Sequence, residues 1–119
     1  MRALWAPFYY AMSIFSRNRT KEITLNQAIN ITRTTTKTAL VDIRDKEVFK
    51  KDHVPDAINI PLNNIKVVHN RIPDTDTTLY IYGDYETRPK KSIKAFRNEG
   101  YNNLVRAGCL EDHYIREYR

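Results

Sequence analysis

The run Ala39-Leu40-Val41-Asp42-Ile43 constrains this chain more than any other feature in it. A strand that faces water on one side alternates apolar with polar residues. A nearly continuous apolar run is instead the mark of a strand buried on both faces, which needs cover above and below. The rest of the pattern supplies that cover. Helical stretches are predicted at Leu25 to Ile31, at Lys46 to Lys51 with Asp45 as cap, and at Leu62 to Asn70. Another runs from Lys90 to Glu99, opened by Pro89 and stopped by Gly100, and Leu110 to Tyr118 closes the chain. Strands are predicted at Glu22 to Thr24, Ala57 to Ile60, Thr78 to Tyr82 and Asn103 to Arg106. Thr32 to Thr38 reads as a connector, because β-branched residues lose side-chain freedom in a helix. Strands alternating with helices predict an α/β fold built on a small, mainly parallel sheet of five strands.

Composition narrows the function classes. A chain of 119 residues is one domain's worth. A single cysteine excludes an internal disulfide framework and a Cys-rich zinc module. The formal charge is +6, yet residues 1–21 hold four bases and no acid, which leaves 16 bases against 14 acids in the remainder. A nucleic-acid-binding body carries its basic stripe on the folded domain, so no nucleic-acid partner is expected.

Residues 1–21 stand apart as an apolar and basic N-terminal extension, with the domain proper at 22–119. The apolar stretch between Arg2 and Arg17 is shorter than the roughly 20 residues of a membrane span. Arg17 and Arg19 directly behind it, and the lack of an Ala-x-Ala site, disfavour export. The readings that remain are contact with a membrane surface, self-association, or packing on the domain, in a cytoplasmic or membrane-associated protein.

Two stretches carry a family resemblance. Leu40-Val41-Asp42-Ile43-Arg44, then Glu47-Val48-Phe49, then His53-Val54-Pro55-Asp56-Ala57-Ile58-Asn59-Ile60-Pro61 resembles the front half of a rhodanese domain. Arg88, Gly100-Tyr101 and Ala107-Gly108 stand at the spacing of that family's loop arginine, helix-ending Gly-Tyr and last glycine turn. The resemblance covers about residues 22–112. It implies a three-layer sandwich with an active loop at the carboxyl ends of the strands, and sulfur transfer through a cysteine persulfide on that loop. No cofactor is implied.

The departures from the family set the functional expectation. The position five residues before Arg88, where the family carries its nucleophilic cysteine, is Gly83. The loop Gly83-Asp84-Tyr85-Glu86-Thr87-Arg88 holds two carboxylates, which oppose an anionic donor and would raise the pKa of a thiol restored there. Arg88 either binds an anion or pairs with Asp84 or Glu86. Asp42 and Arg44 are expected to brace the loop, and His53 to be a hydrogen-bonded structural residue. Asp56 and Cys109 stand where the family has glycine. The chain therefore reads as a module that binds a protein or a small anionic or sulfur ligand, without ordinary thiosulfate sulfurtransferase activity. The alternative is a sulfur carrier using Cys109. There a helix start would lower the thiol pKa, with support from a protonated His113. Cys109 and His113 alone are too few ligands for a metal. Lys90, Lys94 and Arg97 share one helical face, read as solvated or as a docking surface for an acidic partner.

Overall fold

The computed structural model describes residues 20–112. The readings made for residues 1–19, His113 and the far end of the closing helix lie outside the described residues. Five strands, β1 (Lys21–Glu22), β2 (Thr38–Asp42), β3 (Ile58–Asn59), β4 (Thr78–Gly83) and β5 (Leu104–Cys109), form one sheet in the order β1-β5-β4-β2-β3. Every pairing is parallel. The helices are α1 (Leu25–Thr34), α2 (Lys46–Lys51), α3 (Val68–Arg71) and α4 (Ile93–Asn98), with 3-10 turns at Leu62–Val67 and Pro89–Ser92.

Alternation along the strands sorts the core into two layers. Ala39 and Val41 of β2 and Leu79 and Ile81 of β4 point to one face, where Val68, Ile72, Ile93, Phe96 and Tyr101 cover them. Leu40 of β2 and Tyr82 of β4 point to the other, against Leu25 and Ala28 of α1, Val54 and Leu110. Burial on both faces is what the run at residues 39–43 requires, and the three-layer arrangement follows. Among the described residues no helix is long and apolar enough to cross a membrane.

Several boundaries differ from the sequence pattern for identifiable reasons. Thr24 caps α1 instead of ending a strand: its hydroxyl accepts from the Gln27 amide at 3.1 Å, and its own amide donates to the Gln27 side chain. β1 instead covers Lys21–Glu22. Helix α1 continues three residues past Ile31, with the Thr32 and Thr34 hydroxyls donating to the carbonyls of Ala28 and Asn30 one turn back. Asp45 stands at the start of α2, but its side chain makes no capping bond. The helix expected over Leu62 to Asn70 breaks at Asn64, at φ −142° and ψ 51°. The one over Lys90 to Glu99 starts as a 3-10 turn on the buried Pro89. Most consequentially, β5 runs to Cys109, beyond the expected end at Arg106. Gly108, at φ +80°, absorbs the extra residue as Gly83 of β4 takes up register with Cys109.

Asp56 holds the left-handed conformation at φ +71°, which fits a position that is glycine in the resembling family. Far from the carboxyl edge, Glu99 ties α4 to α3, accepting from His69 Nε2 at 2.7 Å and Lys66 Nζ at 3.3 Å. The His69 hydrogen bond, and then Lys66, hold the Glu99 carboxyl below its ordinary value. A depressed folded-state pKa stabilises the fold above the unfolded-chain value and is lost as pH falls through the folded one. Glu99→Gln is therefore expected to lower the melting temperature at pH 7. The gap from wild type should close as pH falls below about 4.3, checked by thermal unfolding at both ends of that range.

Candidate functional site

The ends of β2, β4 and β5 converge at one edge of the sheet, with Asp42 in register with Tyr82 and Gly83 with Cys109. Ligands of open parallel sheets bind beyond this edge. The parallel register thus gathers Asp42, Gly83 and Cys109, which lie far apart in sequence.

Asp42 and Arg44 form the brace beneath the edge. Both are buried, and the Arg44 guanidinium donates to both Asp42 oxygens, at 2.8 Å from Nη2 and 3.1 Å from Nε. Nη2 also donates to the Asp52 carbonyl at 2.6 Å, which ties the end of α2 to β2. Asn59 of β3 donates to the carbonyls of both Asp42 and Arg44. Burial alone would pull the Arg44 pKa down; the hydrogen bond and charge of Asp42 hold it above its ordinary value. Removing one partner of such a pair strands a buried charge, at a cost of about 3–5 kcal/mol. The neighbouring Tyr82 hydroxyl accepts from the Val54 amide at 3.1 Å, and burial followed by the Asp42 charge pushes its pKa up.

The loop after β4 closes on itself. Asp84 N donates to the Thr87 carbonyl at 3.1 Å, and Thr87 N donates back to the Asp84 carboxylate at 2.6 Å. Tyr85 N donates to the Glu111 carboxylate at 3.0 Å, and the Tyr85 hydroxyl to Asp112 at 2.5 Å. Three backbone amides that could face an incoming anion thus already serve acceptors of the chain itself. Gly83 is buried beneath this closure. A Cβ there would lie 1.9 Å from the Thr87 carbonyl oxygen and 3.2 Å from its carbon, so no side chain fits without moving the loop. The charge expected to limit a thiol at position 83 is therefore secondary to a steric block.

Arg88 makes no ion pair with Asp84 or Glu86 among the described residues; its guanidinium lies 5.0 Å from the centre of the Tyr85 ring. Lys91 Nζ donates to the Glu86 carbonyl at 3.0 Å. Four carboxylates, those of Asp84, Glu86, Glu111 and Asp112, surround a loop whose nearby cations are Arg88 and Lys91. This setting disfavours a small anion.

Cys109 is the buried last residue of β5 and stands immediately before the helical residues that begin at Leu110, the helix-start position read from the sequence. Burial pushes its thiol pKa up; Arg88 pulls the other way, and Asp112, Glu111 and Asp84 add to the rise. Burial first, and the surrounding carboxylates after it, outweigh the lowering that a helix start would bring.

His53 is structural: its ring stacks on Phe49 at 3.8 Å, and Nδ1 donates to the Phe49 carbonyl at 2.7 Å. Sequence reasoning missed the clasp of Glu111 and Asp112 on Tyr85. Its signal was weak, two acids just past the last strand and 26 to 27 residues from their partner. The Glu99–His69 tie had no local signal either.

The family model described as Rhodanese-like domain matches residues 24–107. The chain is 30% identical over 73 residues to the thiosulfate sulfurtransferase PspE of Escherichia coli, covering 60% of this chain and 70% of that protein. It is 33% identical over 66 residues to the adenylyltransferase and sulfurtransferase uba4 of Ogataea parapolymorpha, over 56% of this chain but only 17% of that longer protein. The solved single-domain sulfurtransferase RDL2 of Saccharomyces cerevisiae superposes with a TM-score of 0.67 at 24% identity, over 82% of this chain and 90% of that one. A rhodanese from E. coli solved with anions gives 0.56 at 29% identity, over 63% and 89%. The fold is the rhodanese fold.

The raised thiol pKa has a direct readout. Alkylation of Cys109 across pH is expected to be slow, with a midpoint above the ordinary thiol value of about 8.5. A midpoint below 8 would contradict the burial argument and return Cys109 to candidacy as a reactive thiolate.

Proposed function

The chain belongs to the Rhodanese-like domain family; we propose that within it this chain is a module that binds a protein partner and does not turn over thiosulfate. The family resemblance assigns the sulfur-carrying cysteine to position 83, which here is glycine. Covalent sulfur transfer needs a nucleophile at that point, and Gly83 offers none. One observation carries the reading: the Thr87 carbonyl oxygen fills the volume of a side chain at 83. It points an acceptor, and not a donor, at the place a bound anion or persulfide would occupy. The same reading treats residues 1–21 as an extension that adds membrane-surface contact or self-association to a module at about 22–119.

The competing reading, sulfur carriage on Cys109, draws on its register with Gly83 and on the pull of Arg88. Burial of the thiol and its raised pKa weigh against it. The two readings separate on treatment with thiosulfate followed by mass spectrometry of the intact chain. The binding module gains nothing, whereas a carrier gains about 32 Da, one sulfur atom.

The steric part has its own test. Gly83→Ala and Gly83→Cys are both expected to destabilise the fold by about 1–3 kcal/mol in urea unfolding, the usual cost of forcing atoms into filled space. Neither should show thiosulfate:cyanide sulfurtransferase turnover. A stable Gly83→Cys protein with turnover would show that the loop opens freely, and would overturn the reading.

A further inference from the structure

Beside α4 and the strands β1 and β5 lies a groove of about 560 Å³ lined by Thr20, Glu22, Lys90, Ile93, Lys94, Arg97 and Arg106. Four cations face one carboxylate there. Lys90 and Lys94 are exposed, Arg97 is half-buried, and the buried Ile93 adds an apolar patch. Arg106 Nε is buried without a hydrogen-bond partner, the one such side-chain atom among the described residues. Its Nη2 has only Glu22, at 3.6 Å. Buried polar atoms ordinarily have partners, so a guanidinium left this way can still take an acceptor. A smaller cavity, of about 250 Å³, shares Glu22, Lys90 and Arg106 with the groove and runs on to Arg88 and Cys109.

We propose that this groove binds an acidic, extended peptide segment of a partner protein. Lys90 to Arg97 spans about 10 Å along the helix axis, too far for one phosphate to bridge. An extended chain, at about 3.3 Å per residue, meets that span with carboxylates three residues apart. Among the described residues no aromatic side chain lines the groove to offer the stacking platform a single-stranded nucleic acid uses. Residues 1–19 hold three arginines and no acid, so they carry none of the acidic chemistry that the groove complements. The inference rests on the binding-module reading and names its partner class. Its test uses no sulfur chemistry, so each can fail without the other.

The test is fluorescence anisotropy with the full chain and a labelled hexaglutamate peptide. A hexaglutamine peptide, a hexathymidine strand and inorganic phosphate serve as comparisons. Hexaglutamate is expected to bind saturably and hexaglutamine not at all. Lys90→Glu with Lys94→Glu should weaken binding roughly tenfold or more, as reversed charges repel an acidic partner. Lys50→Glu with Lys51→Glu, on α2 away from the groove, should leave it unchanged, with circular dichroism showing all variants folded. Arg106→Gln, if folded, should weaken binding as well. The proposal is overturned by absence of saturable binding, or by equal loss from the two charge reversals. It is also overturned by tighter binding of hexathymidine than of hexaglutamate, or by complete displacement of the peptide by phosphate at equal concentration.

Discussion

The Thr87 carbonyl oxygen and the Cα of Gly83 approach so closely that an ideal Cβ would stand 1.9 Å from that oxygen. The rest of the carboxyl edge is arranged around this approach. It lets the loop turn back on itself, with Asp84 N meeting Thr87 O and the Asp84 carboxylate meeting Thr87 N. A loop folded this way satisfies part of its own polar groups while Gly83 beneath it is buried. The same satisfaction removes what an oxyanion needs, which is backbone N–H groups without other partners. Glycine at 83 is thus the condition for a closed loop.

Below the loop, the edge is rigid. The Asp42–Arg44 pair, its tie to the Asp52 carbonyl and the Asn59 bonds fix the ends of β2, β3 and α2 as one unit. Above it, Glu111 and Asp112 hold Tyr85 by its amide and its hydroxyl. In place of an external anion, the Tyr85 and Thr87 amides meet the chain's own carboxylates and the Asp84 amide meets a backbone carbonyl. The charge of the site is negative as a result, while the cations of α4 and β5 collect on the neighbouring groove. The two surfaces suit ligands of opposite kind, and only the groove suits an acidic one.

Much of this was legible in the sequence. The unbroken run at residues 39–43 gave the buried strand, and the alternation with helices gave the parallel sheet. The order of Asp42-Ile43-Arg44, His53-Val54-Pro55, Arg88 and Gly100-Tyr101 gave the family. Boundaries were lost where side chains overrule propensity, as at Thr32 and Thr34, whose hydroxyls continue α1. The end of β5 was placed three residues early because a bulge at Gly108 lengthens the strand, and nothing in a linear pattern announces an extra residue in a strand. The closed loop was hidden for a different reason. Its charge could be counted from Asp84 and Glu86, but the direction of the Thr87 carbonyl exists only in three dimensions.

The central claim is that the amides of Asp84, Tyr85 and Thr87 are already occupied, and they can be watched one by one. Amide resonances of the isotope-labelled full chain would be followed during titration with thiosulfate, with sodium chloride as a control for ionic strength. The account predicts that Asp84, Tyr85 and Thr87 move no more with thiosulfate than with chloride. Saturable shifts confined to these amides would contradict it, since they would show a loop that opens to receive an anion.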